Sequence, residues 1–217
     1  MIKYLYKFKL EDFNDFAEEY NLDNWGIFTD TIKNRYKNML YNEKLYLFKE
    51  MAKNNNIKHN KEEYISWMDN IHILYKALLK LEDYEQIYLK DLTICGELHM
   101  PLTNKRADIV IFKENKILII EFSYSKTEDE EFRYNNKLSQ VIQYKEILQN
   151  LLPKEIEIGT YTCLIHPLSE SDKYIETINN LFLFLKNYFM LKKLNAYNQF
   201  IGMVEELYYE IPLENEE

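Results

Sequence analysis

Arg106-Ala107-Asp108-Ile109-Val110-Ile111-Phe112-Lys113-Glu114-Asn115-Lys116-Ile117-Leu118-Ile119-Ile120-Glu121-Phe122-Ser123 is the stretch on which the reading of this chain turns. Two runs rich in Ile, Val and Leu flank a short polar segment. Ala107–Phe112 is apolar at every position but Asp108, and Ile117–Phe122 at every position but Glu121. Strands apolar on both faces are strands covered on both faces. A lone carboxylate there is costly until something compensates it. A two-residue turn at Glu114-Asn115, or a four-residue loop centred there, sets Asp108 opposite Glu121. A second hairpin across Pro101-Leu102-Thr103-Asn104 sets Glu97 opposite Asp108. Three carboxylates then share one face of adjacent strands, with Cβ atoms roughly 5 Å apart. A change of one residue in either loop would turn them to opposite faces.

Like charges directly opposed destabilise a sheet, and a bound cation removes the conflict. The donors are oxygens, with neither a Cys nor a close His pair beside them, which favours Mg²⁺ or Mn²⁺.

Around this centre, Leu92–Met100 and Ile156–Ile165 also read as strands. Leu138–Leu152 and Asp172–Leu194 read as helices. Upstream, residues 61–89 carry Tyr64, Ile65, Met68, Ile71, Leu74, Tyr75 and Leu78 at helical spacing, as one long amphipathic helix or two short ones. Residues 10–56 read as helices punctuated by Asn21–Asn24 and Asn54–Asn56. The order predicts an α/β (α+β) fold with a mixed central sheet. A three-stranded antiparallel meander forms its middle, and helices flank it. We divide the chain into an N-terminal helical lobe, 1–60, and a core with C-terminal helices, 61–217. The acidic run Glu128-Asp129-Glu130-Glu131 reads as a solvated loop.

The chain has 217 residues, 47% of them hydrophobic, enough for one sizeable core. No run approaches the ~20 apolar residues that span a bilayer, and the first residues contain no signal-peptide core. Two cysteines cannot build a disulfide framework, so a reducing cytoplasm is expected. The net charge of −9 argues against an architectural DNA-binding protein, since duplex affinity comes largely from phosphate neutralisation. It does not exclude an enzyme.

Glu97, then Arg106-Ala107-Asp108 opening an apolar strand, then Ile119-Ile120-Glu121-Phe122-Ser123, resembles the core of the PD-(D/E)XK restriction-endonuclease-like nucleases. Gln140-Val141-Ile142-Gln143-Tyr144 resembles the Gln-x-x-x-Tyr helix of its RecB-like branch. Together with Ser66-Trp67, Cys95-Gly96-Glu97 and Met100-Pro101-Leu102-Thr103, the set is similar to the nuclease-like domain found ahead of certain bacterial helicases. The likeness spans about residues 60–165. No Gly-x-x-x-x-Gly-Lys phosphate loop accompanies it.

The resemblance implies metal-dependent hydrolysis of phosphodiester bonds in nucleic acid, DNA before RNA, in a setting such as defence against foreign DNA. By resemblance Glu97, Asp108 and Glu121 are metal ligands, and Gln140 and Tyr144 orient the site or the substrate backbone. Arg106 and Lys105 become candidates for substrate phosphate. The family's signature carries a Lys two residues after the second acid, where this chain has Ser123. Lys126 and Lys137 are the candidate replacements, and Lys137 is preferred because it shares a helical stripe with Gln140 and Tyr144. The missing Lys and the negative charge also motivate a second reading: a catalytically degraded nuclease fold that binds nucleic acid or a protein partner. A homodimer is compatible with either.

Overall fold

The computed structural model describes residues 3–19, 21–22, 25, 34–35, 43–85, 91–125 and 129–190. Strand β1 (Tyr6–Lys9) runs directly into α1 (Leu10–Glu19), followed by α2 (Glu43–Asn54) and α3 (Glu63–Glu85). Then come β2 (Thr93–His99), β3 (Arg106–Lys113), β4 (Lys116–Tyr124), α4 (Glu130–Leu151), β5 (Glu157–Ile165) and α5 (Ser171–Met190). The five strands form one mixed sheet in the order β1-β2-β3-β4-β5. β1 to β4 pair antiparallel, and β5 joins parallel to β4. A parallel neighbour needs a crossover, and α4 is that crossover.

The hairpins have the expected register. Lys113 pairs with Lys116 and Ile109 with Ile120 across the turn at Glu114-Asn115, where Glu114 takes the left-handed φ of 51°. Thr93 pairs with Phe112 and Leu98 with Ala107 across the Pro101–Asn104 loop. Side chains alternate along each strand. Ile109, Ile111, Leu118 and Ile120 therefore pack against α1, α3 and α5. Val110, Ile117 and Ile119 pack on the other face against Val141 and Tyr144 of α4.

Three features depart from or sharpen the sequence reading. Tyr6–Lys9 adds a fifth strand from within the segment read as a helical lobe, so the N-terminus is stitched into the sheet beside Thr93–Gly96. Its alternating Tyr6-Lys7-Phe8-Lys9 is the signal. The helix upstream of the meander is one continuous element, Glu63–Glu85. α4 starts at Glu130, so Glu130 and Glu131 of the acidic run form a helical first turn rather than a loop. Carboxylates are favoured there by the partial positive charge of a helix N-terminus. The expected ends of two helices, residues 86–89 and 191–194, lie outside the described residues, as do Glu128 and the Asp23-Asn24 pair.

Asp69, in the second turn of α3, is fully buried. It accepts hydrogen bonds from the Trp25 indole (2.8 Å), both terminal nitrogens of Arg35 (2.6 and 2.7 Å) and the Tyr124 hydroxyl (2.7 Å). A buried carboxylate with a bidentate guanidinium and two further donors is fully satisfied. It ties residues 25 and 35, α3 and the end of β4 to one another. Nearby, His72 donates from Nδ1 to the Leu22 carbonyl (2.6 Å) and accepts at Nε2 from the Tyr174 hydroxyl, which joins α3 to α5.

Gly96 in β2 lies under the ring of Tyr6, and a Cβ there would stand 2.2 Å from two ring carbons. Gly96→Val is therefore expected to lose about 2 kcal/mol of stability in urea unfolding, as overpacked sites do. The double variant Gly96→Val/Tyr6→Ala recovers part of the loss, whereas purely additive losses would show that the ring is not the obstacle.

Candidate active site

The β3–β4 ladder ends at the pair Ile109–Ile120, and there the carboxylates take over. The Asp108 backbone N–H donates to Oε1 of Glu121 (3.1 Å), and the Phe122 N–H donates to Oδ2 of Asp108 (2.8 Å). Each acid satisfies the neighbouring strand's main chain where the strands part. Lys137, from the first half of α4, closes the cluster. Its Nζ donates to Oδ2 of Asp108 (3.0 Å) and to Oε2 of Glu121.

Glu121 has no exposed surface. Burial pushes its carboxyl well above the ordinary range, Asp108 adds to the rise, and Lys137 opposes it. For the Lys137 ammonium burial acts downward, but Asp108 and Glu121 outweigh it and hold the group above its usual value. The ammonium is thus a permanent counterion to the two acids.

Glu97 is placed differently. It takes a left-handed φ of 52° within β2, a conformation that costs a residue with a Cβ roughly 1–2 kcal/mol. Its carboxylate turns to Nε of Arg106 (3.2 Å). The same guanidinium holds Glu63 at the start of α3 (2.7 Å) and donates to the Lys58 carbonyl (2.9 Å). Burial first and Asp108 second push the Glu97 carboxyl up to about 8.

Gln140 donates to the Tyr144 hydroxyl (2.6 Å), which donates to the Arg106 carbonyl (3.2 Å), so this pair anchors α4 to the start of β3. Burial pushes the Tyr144 phenol upward as well. Ser123 and Lys105 line the same cavity as Glu97 and Asp108. Lys126 lies outside the described residues. Both cysteines are buried, and burial raises the Cys95 thiol to about 11, which leaves it a poor nucleophile.

The cavity holds about 650 Å³ and lies between α3 and α4, where β3 begins and β4 ends. From the helices, Glu63, Ser66, Trp67, Asn70, Arg133 and Asn136 also line it, none of them assigned to the site from the sequence. Asp69, Asn70 and His72 interrupt an apolar stretch of α3, which marks a polar cluster without saying which of them faces the cavity.

The donor chemistry suits a hard divalent cation at Asp108 and Glu121, whose oxygens converge on one ammonium. Glu97 joins such a set only by leaving Arg106. Among the described residues, no group of three His, Cys, Asp or Glu side chains is gathered as a metal cage. No helix among them is long and apolar enough to cross a membrane.

No protein family matches the chain, and no characterised protein or solved structure is significantly similar to it.

Glu97 has an ordinary carboxyl value of 4.5 when unfolded and about 8 when folded. The native state then binds more protons across that interval, so its stability falls as pH rises from about 4.5 to 8. In EDTA, urea unfolding at a series of pH values is expected to show this decline. Glu97→Gln flattens it, and an equally steep decline in the variant would contradict the assignment.

Proposed function

We propose that this protein is a metal-dependent nuclease of the PD-(D/E)XK type, hydrolysing phosphodiester bonds in nucleic acid, with Lys137 of α4 in the role of the motif lysine. The observation that carries the proposal is the Lys137 ammonium bridging Asp108 and Glu121. Asp108 and Lys137 line the open cavity, Glu121 is buried against them, and the cation arrives from the crossover helix instead of the strand position that Ser123 fills. Asp108 and Glu121 would hold Mg²⁺ or Mn²⁺, with Glu97 as a further ligand once released from Arg106. The ion, when bound, acidifies a water and neutralises charge on the scissile phosphate.

The chain's own residues supply the rest. Lys137 positions the attacking water and offsets negative charge that develops in the transition state. Arg106 and Lys105, which line the cavity, contact phosphate oxygens. Gln140 and Tyr144 keep α4 in register with the acids. We place the activity on DNA, in the cytoplasm, in a setting such as defence against foreign DNA.

One observation favours a second reading. Lys137 and Arg106 already pair with all three acids, a state that needs no metal. In that reading the protein is a degraded nuclease fold that binds nucleic acid or a protein partner, as a monomer or a homodimer.

Calorimetric titration of Mn²⁺, followed by a cleavage assay on the same samples, separates the two. The nuclease reading expects saturable binding that Glu121→Ala removes. It also expects metal-dependent cleavage that Lys137→Met lowers by about 10²–10³-fold, the size of effect lost with one transition-state donor. An absence of both metal binding and turnover in the wild type would leave the binding-module reading.

A further inference from the structure

The cavity has a second half that the hydrolytic cluster does not use. Along α3, Glu63, Ser66, Trp67 and Asn70 stand at helical spacing on the stripe that faces it. The stripe runs about 10 Å, from the Arg106 ion pair at one end to Asn70 at the other. Ser66, Trp67, Phe122 and Tyr124 belong to the same lining as Asn70. Asn70 has only 5% of its surface exposed, and its Oδ1 has no hydrogen-bond partner among the described residues. An unsatisfied buried amide oxygen costs roughly 1–3 kcal/mol. The neighbouring Asp69 is fully satisfied by four donors, so of this adjacent pair the deficit belongs to Asn70.

A carboxamide both donates and accepts, which matches the paired edge of a nucleobase. Trp67 and Phe122, which are almost fully buried in the core, give this part of the cavity a firm apolar wall. In a duplex that edge is already used by the complementary strand.

Building on the nuclease reading, we propose that this end of the cavity receives one unpaired base, whose edge Asn70 reads. The substrate class is therefore nucleic acid that is single-stranded or locally unpaired. The acids and Lys137 address the phosphate, while α3 addresses the base, and α3 thereby sets strandedness. Extruding a base from an intact duplex costs a few kcal/mol, so duplex is disfavoured at this site without being repelled by charge.

The test uses the full chain with Mn²⁺. Its probes are a labelled single-stranded oligonucleotide, the same strand in a perfect duplex, and that duplex with one unpaired nucleotide. The wild type is expected to cleave the first and third with lower KM than the second. Asn70→Leu is expected to raise KM for those two by about ten-fold with kcat little changed, the effect of one hydrogen bond. It is also expected to keep or raise the melting temperature, because it removes an unsatisfied group. Asn70→Ser, smaller and still polar, is expected to fall between them and guards against a packing artefact. Equal cleavage of all three probes by wild type and Asn70→Leu would overturn the base site and leave the nuclease reading standing. So would a drop in melting temperature with KM unchanged. No cleavage of any probe by the wild type would overturn the nuclease reading itself.

Discussion

Asp108 and Glu121 end the central hairpin by accepting each other's strand N–H groups, and most of the structure is arranged around that exchange. Two carboxylates facing one another in an apolar sheet repel, and each also loses hydration. The backbone donors offset part of this, but neither N–H carries a full charge. The remaining deficit is met by one ammonium. That ammonium has to come from an element packed on the same face, and α4 is the only described helix on that face. The crossover that lets β5 pair parallel to β4 is thus also the element that makes the acids tolerable.

A second charge balance stands beside the first. Glu97 and Glu63 share Arg106, and Glu97 sits in a strained backbone conformation with a carboxyl that burial and Asp108 hold against ionisation despite Arg106. The two clusters touch through Asp108, whose charge raises both Glu97 and Glu121. A site built this way holds its acids close at the expense of stability, a pattern usual where binding or catalysis needs the charge.

Much of this was legible in the residues. Loop lengths fixed at Pro101–Asn104 and Glu114-Asn115 dictate which residues oppose, so the pairing of Asp108 with Glu121 follows from counting. Helical spacing put Lys137 on the stripe of Gln140 and Tyr144. The partnership of Glu97 with Arg106 was not legible, since it depends on a left-handed residue that takes the side chain out of the ordinary ladder. Arg106 opposes His99 and meets Glu97 only diagonally. Nor was the N-terminal strand legible as such, because four residues of alternation are too few to outweigh the helical pattern that follows. Asn70 was hidden by its surroundings: on an apolar helix one amide looks like a satisfied core residue until its neighbours are placed.

The sequence separations of these charges carry a consequence for how the chain folds. Asp108 and Glu121 lie 13 residues apart and meet when a tight hairpin closes, whereas Lys137 is a further 16 residues on and arrives only when α4 docks. Hairpins close on local contacts, and docking of a crossover helix follows. The repulsion is therefore met early and relieved late. Until α4 docks, two facing acids have only solvent protons to quiet them, so folding rate, and not only stability, is expected to rise in acid.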